Sequence, residues 1–228
     1  QYFYSENLAY LPNSYMANDS KIAPSARVYT RKNFELPDNG FVFCCFNSSY
    51  KITPETFTGW MNILSKVDGS VLWLSKANST AIQNLKKEAQ KLGINPHRLI
   101  FASRLDAKED HLKRIQSADL FLDTLPFNAH TTTSDALRVG LPVLTRIGES
   151  FTSRVAASLL NAVNLPEMIT SSQEDYEALA IELATNPDKL KIIKDKLALN
   201  LPTAPLYDTA LFTQHIESAY KTMYERHH

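Results

Sequence analysis

The chain has 228 residues, 44% hydrophobic and 21% charged. That is ordinary globular composition, long enough for one large core or two small ones, and it excludes a disordered or collagen-like chain. Lys+Arg and Asp+Glu are equal at 24 each, so no bulk basic field draws the molecule to nucleic acid or to an anionic membrane.

The longest strictly apolar run, Phe41 to Phe46, is too short to span a bilayer, and no basic-then-apolar signal segment opens the sequence. Cys44 and Cys45 are adjacent, where a disulfide between them is badly strained, so the expected setting is reducing and cytoplasmic. Two cysteines and six histidines fall in none of the usual ligand spacings, and no metal site is expected. The closing His227-His228 pair reads as the remnant of a purification tag and receives no function.

In chain order, residues 1–40 carry turn signals at Pro12, Asn13, Ser14, Pro24 and Pro37-Asp38-Asn39-Gly40, and read as an arm or linker packed on something else. From Phe41 short apolar strands alternate with amphipathic helices. A strand over 41–46 precedes Thr53-Pro54-Glu55, an N-cap followed by Pro at the first helical position. Phe57, Trp60, Met61, Leu64 and Val67 recur at helical spacing behind it. A strand at 71–74 leads to a helix capped by Ser79, with Ile82, Leu85, Ala89 and Leu92 as its apolar stripe and Gly93 closing it.

A third strand at 99–102 is followed by Asp106 and Glu109, spaced as a capping box for a helix running through Ala118. The strand at 120–122 opens a polar loop and a helix from about 131 to 139, ended by Gly140. A strand at 142–145 and helices near 151–161, 173–185 and 188–199 follow. Beyond Pro202 and Pro205 a last helix, about 208–226, carries Phe212, Ile216, Tyr220 and Met223 on one face. The alternation predicts an α/β fold, a Rossmann-like, mainly parallel sheet flanked by helices over 41–205, with 206–228 as a separate C-terminal helix. In such a sheet ligands bind where strand C-terminal ends meet helix N-termini.

Three loops at that edge are dense in polar groups. Asn47-Ser48-Ser49-Tyr50-Lys51 sets a lysine just ahead of a capped helix, which suits a phosphate and equally suits a solvated surface lysine. Lys108, His111 and Arg114 lie at i, i+3 and i+6, either a ligand-facing basic edge or the solvent face of an amphipathic helix. Asn128-Ala129-His130-Thr131-Thr132-Thr133 enters a helix with hydroxyls and free N–H groups, as a pyrophosphate requires. Asp135, one turn in, suits sugar hydroxyls; its other role is to support the helix dipole, and Thr131 or Thr132 can serve as an N-cap. The sequence has no Gly-x-Gly-x-x-Gly, no Walker-type loop, no Asp-x-Asp pair and no Gly-x-Ser-x-Gly elbow. A metal-free diphosphate site of helix N-termini, Lys, His and Thr remains, and it fits a nucleotide-sugar transferase.

Phe46-Asn47-Ser48-Ser49-Tyr50-Lys51-Ile52, Val71-Leu72-Trp73-Leu74, Ala107-Lys108-Glu109-Asp110-His111-Leu112-Lys113-Arg114 and Asn128-Ala129-His130-Thr131-Thr132 follow one another in a fixed order. Asp135-Ala136-Leu137-Arg138-Val139-Gly140-Leu141-Pro142-Val143 and Ser153-Arg154-Val155-Ala156-Ala157-Ser158 continue it. In this order the chain resembles the O-GlcNAc transferases, a family that includes the SPINDLY-type proteins. The resemblance implies the C-terminal, donor-binding lobe of a GT-B glycosyltransferase, inverting and metal-independent. It moves GlcNAc from UDP-GlcNAc to Ser/Thr of proteins and is usually preceded by tetratricopeptide repeats.

Tyr4-Ser5-Glu6-Asn7-Leu8-Ala9-Tyr10-Leu11-Pro12 resembles the end of the N-terminal lobe, which implies that the chain starts partway through the enzyme, with 1–40 as an inter-lobe arm and 206–228 as a helix crossing back onto the other lobe. The large domain that animal members insert is not seen, as in bacterial-type relatives. By resemblance, Lys51 contacts the diphosphate and aids leaving-group departure. Lys108, His111 and Arg114 lie around uracil and ribose, His130, Thr131 and Thr132 form the diphosphate turn, and Asp135 is the ribose-binding acid. Ser48 stands where the family often has Gln, which keeps a GDP-fucose or UDP-hexose donor open as an alternative. An isolated binding or scaffold lobe is a third reading. The expected partners are the donor, protein acceptors, the N-terminal lobe and repeats, and a second copy through the last helix.

Overall fold

The computed structural model describes residues 4–227, so His228 of the closing pair lies outside the described residues. Six strands form one sheet: β1 (Val42–Cys45), β2 (Val71–Ser75), β3 (Leu99–Ala102), β4 (Leu120–Leu122), β5 (Val143–Arg146) and β6 (Ile169–Thr170). Their order is β3-β2-β1-β4-β5-β6, and every neighbouring pair is parallel. Phe43 pairs with Leu72 on one side and Leu120 on the other. The chain therefore winds outward from β1 in one direction, returns, and winds outward from β4 in the other. The gap above β1 and β4 is the topological switch point, where open α/β sheets bind ligands.

The helices are α1 (Pro54–Lys66), α2 (Ser79–Lys91), α3 (Lys108–Ile115), α4 (Thr131–Arg138), α5 (Val155–Ala162), α6 (Gln173–Thr185), α7 (Pro187–Asn200) and α8 (Thr209–His227). In α1 the Thr53 hydroxyl accepts from the Thr56 N–H at 3.2 Å, and Phe57, Trp60, Met61 and Leu64 are buried. The central strands are apolar on both faces because helices cover both, as parallel sheets require. Cys44 and Cys45 are free and buried in β1, where burial pushes both thiols up.

Several local expectations need correction. Asn78, not Ser79, caps α2: its extended backbone lets Oδ1 accept from the Ala81 N–H at 2.8 Å, while Ser79 is already helical. Leu92, at the end of that helix, is exposed rather than part of the stripe. Asp106 forms no capping box, because α3 starts at Lys108 and its N-cap position is Ala107. Neither Thr131 nor Thr132 caps α4; both lie in its first turn, behind His130. The segment near 151–161 splits into a 3-10 turn, Phe151–Ser153, and α5. The two-residue β6 has no counterpart among the expected strands.

The arm packs on this same sheet unit. Arg31 donates to the Ser117 and Gly40 carbonyls and pairs with Asp119 at 2.7 Å, while the same Asp119 oxygen accepts from the Val42 N–H. Further along, the Asn18 amide donates to the Leu206 carbonyl and its oxygen accepts from the Ser134 hydroxyl of α4. No residue of α8 is buried, and a groove of about 910 Å³ separates it from Asn7, Leu8, Ala9 and Tyr10. Among the described residues no helix is long and apolar enough to cross a membrane.

Candidate functional site

The residues that leave β1 and β4 are joined by a buried polar network at the switch point. Asn47 donates to the Thr124 hydroxyl at 2.8 Å and to Asp123 Oδ1 at 3.4 Å, and its Oδ1 accepts from the Thr132 hydroxyl of α4 at 2.6 Å. The Asp123 carboxylate also accepts from the Thr124 N–H, the Ala129 N–H and the Thr145 hydroxyl. Burial pushes Asp123 up to about 7 against those four donors. The network fixes the loop between β4 and α4 by bonds at both of its ends. Asn47 and Asp123 received no role from the sequence, although each is the first polar residue after an apolar strand flanking the switch point.

Lys51 closes the 3-10 turn Ser49–Lys51 immediately ahead of α1. Its ammonium donates to the Asn128 carbonyl at 2.9 Å and lies 3.9 Å from the centroid of the Phe127 ring. Burial lowers its pKa, and the charge of Asp123 opposes that. Ser48 is exposed at the head of this turn, and its hydroxyl caps nothing.

His130 occupies the N-cap position of α4 but its side chain makes no capping bond, so no side chain closes that first turn. Its Nδ1 shares a hydrogen bond with the Tyr15 hydroxyl at 3.0 Å, and its ring stacks on Phe127 with centroids 5.1 Å apart. Burial, then the Lys51 charge, lower its pKa against the favourable Thr152 backbone. Thr131 is exposed, Thr132 is tied to Asn47, and the buried Asn128 Oδ1 and Thr133 hydroxyl have no protein partner. The arm thus engages only Nδ1 of His130, which no sequence pattern announced, and the buried Nε2 stands with the hydroxyls and amides of the turn.

Asp135 is buried and joined to Lys108 Nζ at 2.6 Å, which ties α4 to α3. On α3, Arg114 is 5% exposed. It donates to the Ser103 carbonyl and, through Nε, to His111 Nδ1 at 3.0 Å. That bond makes Nδ1 the acceptor and leaves the ring proton on Nε2. Burial first, then Arg114 and Lys108, hold His111 down to about 4, so the ring is neutral at pH 7. Arg114 thus faces the loop after β3 and lines the cleft there with Lys108 and His111, its guanidinium fixed by the Ser103 carbonyl. A cleft of about 680 Å³ opens here, lined by Phe46, Lys76, Arg104, Lys108 and His111 among others. Lys76 and Arg104 are cations of this cleft that the sequence did not single out. Among the described residues no group of three or more His, Cys, Asp or Glu could hold a metal ion.

Lys51, Thr132, His130, Asp135 and Lys108 thus stand along one edge, linked through α4. The family model described as Glycosyl transferase family 41 matches residues 7–216. The chain belongs to glycosyltransferase family 41. It is 36% identical over 233 residues to an Arabidopsis thaliana protein named as the probable UDP-N-acetylglucosamine–peptide N-acetylglucosaminyltransferase SEC, covering 99% of this chain and 24% of that protein. A Caenorhabditis elegans UDP-N-acetylglucosamine–peptide N-acetylglucosaminyltransferase is 35% identical over 211 residues, covering 92% of this chain and 18% of that protein.

Among solved structures, a point mutant of the Thermobaculum terrenum O-GlcNAc transferase superposes with a TM-score of 0.78 at 28% identity, over 94% of this chain and 39% of that one. The chain spans about a quarter or less of the length of these curated relatives. Its fold is that of the C-terminal lobe of a GT-B glycosyltransferase, as the family's motifs led one to expect.

Proposed function

We propose that this chain is the donor-binding lobe of a cytoplasmic protein O-GlcNAc transferase. It holds UDP-GlcNAc while the sugar passes, with inversion and without a metal ion, to Ser or Thr hydroxyls of proteins. The observation that carries this reading is the Lys51 ammonium on the Asn128 carbonyl, beside the uncapped first turn of α4. An ammonium and free helix amides converging on one place suit a diphosphate. They also suit its departure. As the glycosidic bond breaks, negative charge grows on the leaving phosphate oxygen, and donors already fixed there stabilise it without reorganising. Positive charge then comes from Lys51 and the α4 amides. In this reading the ribose lies against Asp135 and Lys108, and the base enters the cleft beside His111.

A GT-B active site lies between two lobes, so the acceptor protein and the second wall of the site come from an N-terminal lobe and its repeats. This chain by itself binds UDP and transfers nothing. Ser48 favours a second reading of the donor. Its exposed hydroxyl is shorter than the family's usual Gln, which leaves GDP-fucose or a UDP-hexose as alternative donors.

Calorimetric titration of the chain with UDP, with GDP as control, tests the proposal. UDP binding that is lost in Lys51→Ala is expected. Preference for GDP moves the fucosyl reading forward, and UDP binding unchanged by Lys51→Ala removes the role given to this lysine.

A further inference from the structure

We propose that Phe127 is a positioning residue of the donor site, its ring holding both the Lys51 ammonium and the His130 imidazole where the diphosphate is to bind. This deepens the donor-site reading and rests on it. The Lys51 nitrogen lies 3.9 Å from the Phe127 centroid, over the ring. The electron-rich face of an aromatic ring attracts a cation at that distance, most strongly when water is kept away. The same ring stacks on His130 at an interplanar angle of 21°. Phe127 is itself held from behind: its carbonyl accepts from the Thr124 hydroxyl at 2.7 Å, and that hydroxyl accepts from Asn47. Tyr15 completes the set from the arm, bonded to His130 and edge-on to Phe151 with centroids 5.1 Å apart. The buried network at the switch point thus reaches Lys51 by two routes, a hydrogen bond to the Asn128 carbonyl and the face of the Phe127 ring.

The consequence is specific to charge. The lysine is half-buried, and desolvation weakens its hold on the proton. The ring face and the charge of Asp123 act the other way, while His130 is the neighbouring imidazole. A leucine at position 127 keeps most of the apolar volume and loses the face. A tryptophan keeps the face.

The test follows the Lys51 side chain by NMR through an alkaline titration starting from about pH 8, together with UDP titration of the same chain. In that window Asp123, pushed up to about 7, is already ionised, and the Cys45 thiol, raised by burial, stays protonated. Phe127→Leu is expected to move the Lys51 titration to lower pH and to weaken UDP about fivefold, with the loss growing as pH rises. Phe127→Trp is expected to restore both. Lys51 titrating unchanged in Phe127→Leu overturns the inference, as does a loss of affinity equal at every pH that tryptophan does not rescue. If Lys51→Ala abolishes UDP binding while Phe127→Leu does not weaken it, this inference alone fails. If Lys51→Ala leaves UDP binding intact, the donor-site reading falls with it.

Discussion

Lys108 Nζ lies 2.6 Å from Asp135 Oδ2, so the first residue of α3 and the second turn of α4 are joined across the C-terminal edge of the sheet. The carboxylate side chain is only 9% exposed and the lysine 36%, which makes the pair asymmetric: the acid depends on the base more than the reverse.

Removing the lysine therefore leaves a buried, unpaired carboxylate, whereas neutralising the acid leaves a lysine that can turn to water. Lys108→Ala is expected to cost about 1–3 kcal/mol of stability, more than Asp135→Asn does. Both changes weaken UDP binding by about tenfold if Asp135 receives the ribose hydroxyls, because each disturbs the same acceptor. Urea denaturation of the two variants checks the first statement and calorimetry the second. Equal stabilities would show that the pair is better solvated than its burial indicates.

Two titratable groups shifted by burial act on stability in opposite directions. Asp123 is raised from 3.8 to about 7, so the native state binds the extra proton between those values, and stability falls as pH rises through that window. His111 is lowered from 6.5 to about 4, so the unfolded state binds the extra proton, and stability rises with pH between about 4 and 6.5. Each slope is at most about 1.4 kcal/mol per pH unit, and over the shared window they offset one another. Single variants expose what the pair conceals. Asp123→Asn keeps the shape of the network and is expected to grow more stable as pH rises from about 4 to 6.5. His111→Gln is expected to grow less stable as pH rises from about 4 to 7. Denaturation midpoints against pH decide it, and parallel curves for both variants and the parent would mean that neither group titrates as its burial dictates.

What the sequence made legible follows from how local each feature is. β1 through β5 were visible because each is a short apolar run bounded by turn residues, and α1 because Thr53 and Pro54 announce it. β6 was not, since two residues paired to Arg146 and Thr145 carry no pattern of their own. Lys51, His130, Thr132 and Asp135 stood out as polar residues crowded after strands, and the structure brings them to one edge. The partners that fix them are tertiary. Tyr15 reaches His130 from 115 residues away, and Asn47 meets Asp123 only because β1 and β4 are neighbours in the sheet. For Arg114 the spacing left a ligand-facing edge and a solvent face equally open, because helical spacing reports a face, and the Ser103 carbonyl that fixes it lies in a loop without a period.

The last helix makes a prediction about assembly. α8 has no buried residue, its Phe212 and Ile216 are half-buried, and Tyr220 and Met223 are exposed further along the same face. Apolar side chains aligned on one exposed helix face bury each other when two copies meet, and the gain is about 25 cal/mol per Å² of apolar surface removed from water. The chain is therefore expected to self-associate at high concentration, with light scattering giving a mass that rises with concentration. Tyr220→Glu together with Met223→Glu places charge on that face and is expected to return the chain to a monomer without changing its thermal midpoint, since neither side chain supports the core. A monomer at every concentration in the unsubstituted chain would assign the face to the N-terminal lobe of a complete GT-B enzyme instead, and addition of that lobe would then protect α8 from hydrogen exchange.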